Sequence, residues 1–92
     1  MSEEISPDSR VTKSTLKNLI ELGFVVTVIV IEHNDGYSVQ AETNTNGRMA
    51  TVDLVSGDMT RKVWRNVKHP IRILKGIGVM KLKLKLMKGS NI

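Results

Sequence analysis

The sequence predicts an α+β fold in which an N-terminal helix packs on a mostly antiparallel meander sheet of about five or six strands. Three observations carry that prediction: apolar residues at helical spacing ahead of Gly23, the β-branched run FVVTVIVIE followed by two Xaa-Gly turn signals, and the strict alternation of MKLKLKLMK at 80–88. A chain of 92 residues supports one modest core. The expected organisation is therefore a single domain over 11–88, flanked by tails at 1–10 and 89–92.

Each element has its own reason. Residues 1–10, MSEEISPDSR, are polar, acidic and without periodicity, which reads as a flexible tail. Thr12 or Ser14 can cap a helix whose Val11, Leu16, Leu19, Ile20 and Leu22 fall on one stripe, and Gly23 supplies its stop. Residues 24–32 are apolar on both alternating faces, the mark of a central strand covered at least in part on each side. Asp35-Gly36 then signals a hairpin, after which Tyr37, Val39 and Ala41 alternate with Ser38, Gln40 and Glu42. Asn46-Gly47 signals a second turn into a strand over 48–55, with Ala50, Val52 and Leu54 on one side.

Beyond Ser56-Gly57-Asp58 two readings stand. MTRKVWRNV returns as a strand, or Asp58 caps a short helix bearing Met59, Val63 and Val67 at spacing of four; the strand is the preferred reading. His69-Pro70 is expected to interrupt any helix, because a residue before proline is pushed from the α region, and IRIL at 71–74 then resumes an extended pattern. KGIG reads as a turn. The alternating run closes the sheet, since a period of two would spread its leucines around all sides of a helix.

Charge is distributed unevenly. Residues 1–58 hold all nine acids against four cations, whereas residues 59–92 hold ten cations and no acid, for +5 overall. Such a basic half is attracted to a polyanion, whether nucleic acid, an anionic membrane surface or an acidic protein face, unless the acidic half neutralises it across the sheet. In a strand, Lys81, Lys83 and Lys85 stand in a row about 6 to 7 Å apart. That row suits a phosphate chain, and it equally guards a sheet edge against aggregation. Company favours binding: Arg61, Lys62, Arg65, Lys68, Arg72, Lys75 and Lys88 come from neighbouring segments with no acid between them. Trp64, inside RKVWR, is either a core residue or a surface on which a base stacks. With Phe24 and Tyr37 as the only other aromatics, an extended stacking platform is not expected, and duplex or backbone contact is the favoured mode.

Other chemistry finds no support in the residues. The absence of cysteine excludes disulfides and thiolate metal clusters and fits a reducing compartment. His33 and His69 lack partners at metal-ligand spacing, GIG at 76–78 is too short for a phosphate loop, and Asp53 and Asp58 have no visible reason to act as a carboxylate pair. No enzyme activity, metal or cofactor is expected. The longest apolar run, 24–31, is too short to span a bilayer and the N-terminus lacks a secretory pattern, so the chain reads as cytoplasmic. The expected function is that of a small accessory or regulatory protein whose segment 61–88 contacts nucleic-acid phosphates. The alternative is a protein-protein module or inhibitor docking an acidic or nucleic-acid-binding surface, able to dimerise through a strand edge. Both roles are common among small proteins of viruses and mobile elements. Lipid attachment is set aside because Leu82, Leu84 and Leu86 are expected in the core.

Overall fold

A computed structural model describes residues 9–56 and 60–86 of the chain. The elements run β1 (Ser9–Val11), α1 (Lys13–Glu21), β2 (Val25–His33), β3 (Gly36–Thr45), β4 (Arg48–Leu54), α2 (Lys68–Gly76) and β5 (Lys83–Lys85). They form a small α+β fold with one five-stranded mixed sheet, in the order β1-β4-β3-β2-β5, and two helices.

The centre of the sheet follows from local turn chemistry. Asn46 and Gly47 both take positive φ, at 56° and 86°, which is the backbone a two-residue hairpin needs between Thr45 and Arg48. Asn44 Oδ1 accepts the Gly47 N–H at 2.8 Å and closes the turn. The β2–β3 turn lies one residue earlier than its sequence signal, on Asn34 and Asp35, with Gly36 already paired to His33.

Three expectations fail at the edges. The sheet is mixed, because β1 pairs parallel to β4 and β5 parallel to β2. Arg10 and Val11 lie in β1, so neither the tail nor the helix stripe includes them; residues 1–8 and 87–92 lie outside the described residues. Residues 71–74 are helical, since α2 runs through His69-Pro70. Proline is tolerated there because the N–H groups of a first turn have no intrahelical acceptor to lose. Asn66 Oδ1 takes the Lys68 N–H at 2.9 Å, and KGIG is the helix's end: Gly78, at φ 106°, donates to Lys75 while Val79 donates to Leu74. A helical return brings β5 in parallel where a tight turn would have made it antiparallel.

Both helices cover one face. Leu16 of α1 and Leu74 and Ile77 of α2 join Val28, Val30, Val39, Ala41, Val52 and Leu54 in one core cluster. Thr27, Ile29 and Ile31 point to the opposite face and are half-buried, so β2 is covered fully on one side only, and β3 rather than β2 is the middle strand. The segment 60–67 is neither regular strand nor helix. Residues 60–64 make single antiparallel bridges, from Arg61 to Val55 and from Trp64 to Tyr37, and residues 65–67 bend into α2. Gly57, Asp58 and Met59 lie outside the described residues.

Gly36 permits the Trp64 crossing. Its φ is 142°, and a Cβ there would collide with the Trp64 carbonyl oxygen and stand 2.9 Å from Val63 Cγ1. Gly36→Ala is expected to cost about 2 kcal/mol and to lower Tm by roughly 10 °C in a melt followed by circular dichroism. An unchanged Tm would contradict so close an approach.

Candidate polyanion interface

The nine described cations of residues 60–86 do not form a single patch. On α2, Pro70, Leu74 and Ile77 are buried at spacing i, i+4, i+7, and this turns Lys68, Arg72 and Lys75, at the same spacing, outward as one exposed row. Lys13 and Lys17 of α1 are exposed one turn apart in the same layer. Charge counting along the chain hid these two among the acids of the first half; their spacing of four on an amphipathic helix was the available signal. Thr12 caps α1, its hydroxyl accepting the Thr15 N–H at 3.4 Å. A pair of bonds from Gly23 to Ile20 and from Phe24 to Leu19 closes the other end.

Lys62 and Trp64 reach the helix side from the crossing segment. Trp64 is half-buried against the core cluster, and Lys62 Nζ stands 5.9 Å from its ring centroid. The Trp64 backbone is fixed to β3, with Tyr37 N–H donating to the Trp64 carbonyl at 2.6 Å and Trp64 N–H to the Tyr37 carbonyl at 2.8 Å.

The lysines of β5 belong elsewhere. Lys83 and Lys85 pair with Ile29 and Ile31, so they lie on the face away from the helices. Isoleucines therefore stand between them and the acids of that face, Glu42 on β3 and Asp53 on β4, so neither acid is in register with a β5 lysine. Asp53 is instead in register with Arg10. Lys81 is exposed ahead of β5, and Arg61 is exposed at its bridge to Val55. Arg65 borders a cleft that also contains Glu32, His33 and Asp35, where charge is mixed. Lys88 lies outside the described residues.

The leucines of the alternating run depart from expectation. Leu82 packs half-buried against the core, but Leu84 is 48 % and Leu86 58 % exposed, and Met80 is 91 % exposed. Leu84 does stand opposite Val30, on the core side. Its strand, however, is the sheet's edge, and an edge position is covered only where a helix extends over it. The ground on which lipid attachment was set aside does not hold for these two residues.

Of the histidines, His69 is exposed in the first turn of α2 and His33 closes β2, its Nε2 2.6 Å from Ser38 Oγ. Ser38 is 2 % exposed, so this pair cannot present a nucleophile to a substrate. Among the described residues no group of three or more His, Cys, Asp or Glu side chains is placed to hold a metal ion, and no helix is long and apolar enough to cross a membrane. No family model, curated protein or solved structure matches this chain, whose own residues therefore carry the functional reading.

Proposed function

We propose that the protein is a small non-enzymatic accessory or regulatory protein that contacts a polyanion, foremost nucleic-acid phosphates, through its basic residues. One observation carries the reading: Lys68, Arg72 and Lys75 stand in an exposed row on the helix layer, with Lys13, Lys17 and Lys62 in the same layer and Glu21 the single acid of the two helices, while Glu42 and Asp53 occupy the opposite face. Cations held this close repel one another, and an anion relieves that cost. Arg61 and Arg65 are exposed on the segment that leads into α2. Lys81, Lys83 and Lys85 form a second one that a wrapped or second strand could meet. Contact of this kind is made to phosphate and carries little sequence information.

A titration with labelled duplex and single-stranded nucleic acid at about 50 and 200 mM salt tests the reading. The expected result is binding that falls by at least about 100-fold between the two conditions. Absence of binding at low salt would reject it.

A second reading is favoured by the exposure of Leu84, Leu86 and Met80 beside the lysines of an edge strand. An extended partner segment with acidic and apolar residues in alternation would pair with β5, cover the leucines and neutralise the lysines. Vesicles with and without anionic lipid, included in the same titration, separate this reading from membrane attachment, for which only the lipid arm would respond.

A further inference from the structure

We infer that the groove between the first turn of α1 and the Trp64 crossing is a nucleotide slot that takes one unpaired base with its phosphate, a proposal that rests on the polyanion reading above and narrows its ligand. The groove has a volume of about 430 Å³, within the range of small-ligand sites. Leu54, Val55, Trp64 and Ile73 make its apolar wall, and Lys13 and Lys62 line it from two different segments. No acidic side chain is among the described residues that line it.

Two halves of one ligand are written in this lining. A flat heterocycle packs on an indole and aliphatic wall, and a phosphate is held by ammonium groups, whereas an apolar ligand leaves the lysines unused and a bare anion leaves the wall unused. Two other concavities lined by described residues lack the combination. The cleft beside Arg65 contains Glu32 and Asp35, which repel an anion, and the groove below α1 is lined by Ile20, Val25, Val28 and Val79 with Lys81 as its one described cation.

The indole is set for this role before any ligand arrives. Its ring is packed half-buried against the core cluster on a backbone tied to Tyr37 in both directions, which limits the freedom lost on stacking. Lys62, 5.9 Å from the ring centroid, is at the outer limit of a cation–π contact and remains available to an anion at the groove's mouth. A base within a duplex has both faces occupied by its neighbours. The slot therefore selects single strands, strand ends or extruded bases.

Trp64 is the only tryptophan, so its fluorescence reports this groove alone. The full chain is titrated with single-stranded oligothymidine of about twelve nucleotides, an abasic strand of equal length and charge, the matching duplex, and thymidine monophosphate. The expected result is quenching by the base-bearing strand, with affinity about ten-fold above that of the abasic strand, and no quenching by the abasic strand or the duplex. Quenching by the monophosphate without any advantage for the oligomer also supports the slot and identifies free nucleotides as its source. Ser14→Phe, at an exposed position lining the groove, is expected to remove the quenching and the ten-fold advantage while leaving abasic affinity unchanged. Equal binding of base-bearing and abasic strands without quenching overturns the slot and leaves the polyanion reading in place. Failure of every strand and of the monophosphate to bind overturns both.

Discussion

Replacing Lys68, Arg72 and Lys75 together by glutamine is expected to weaken nucleic-acid binding about 100-fold at about 0.1 M salt and to reduce the slope of log K against log salt by about two to three units. Each phosphate contact releases a condensed counterion, and the slope counts the contacts, roughly 0.9 per cation on a duplex and 0.7 on a single strand. Glutamine keeps the helix propensity of the replaced side chains and an unbranched stem, and all three are exposed, so stability should change by less than about 1 kcal/mol. Lys75 sits in the last turn, where its loss removes a favourable interaction with the helix dipole of only a few tenths of a kcal/mol, about the limit of measurement. The matched change at Lys81, Lys83 and Lys85 serves as the comparison. Because Lys83 and Lys85 lie on the face away from the helices, one rigid duplex cannot lie along both rows at once. A larger loss from the β5 variant would move the contact to the sheet edge, and no loss from either would remove phosphate binding altogether.

What was readable in the sequence was what depends on near neighbours. Asn46-Gly47 marks its hairpin because positive φ is a property of those two residues, and Thr12 and Gly23 bound α1 for similarly local reasons. The helix at 68–76 is also written in the chain, in the spacing of Pro70, Leu74 and Ile77, but the proline signal opposes that period. The bias of a residue before proline against helix is a preference, and a first turn overrides it at small cost. Direction at the sheet's edges was not readable, since it depends on whether the chain returns by a turn or by a crossover. The same limit applies to the site. The basic residues could be named individually, yet their division between the helix layer and the β5 face follows from topology, as does the meeting of Lys13 with Lys62 and Trp64. The alternation at 80–86 correctly separated lysines from leucines, and it could not say whether anything would lie over the leucines.

That last distinction sets the second large effect. Leu74→Ala is expected to cost about 3 kcal/mol, because Leu74 is 0 % exposed between α2 and the sheet and its removal leaves a cavity that rigid strands cannot close. A domain of 92 residues has on the order of 5 to 14 kcal/mol of stability, so the variant should lose a large share of it and melt roughly 12 to 24 °C lower. Urea unfolding with an unchanged m-value would attribute the loss to packing rather than to an altered unfolded state. Leu84→Ala removes the same atoms from a residue 48 % exposed at the sheet edge and should cost less than about 1 kcal/mol. The pair separates stability from binding, since Leu74→Ala should retain its affinity for nucleic acid below its own melting range while the α2 charge variant loses affinity with its melting point intact. The pair also tests the β5 edge. If Leu84→Ala proves as costly as Leu74→Ala and its cost rises with protein concentration, these leucines are covered in solution by another copy of the chain, and mass action, not the fold of one chain, supplies the stability.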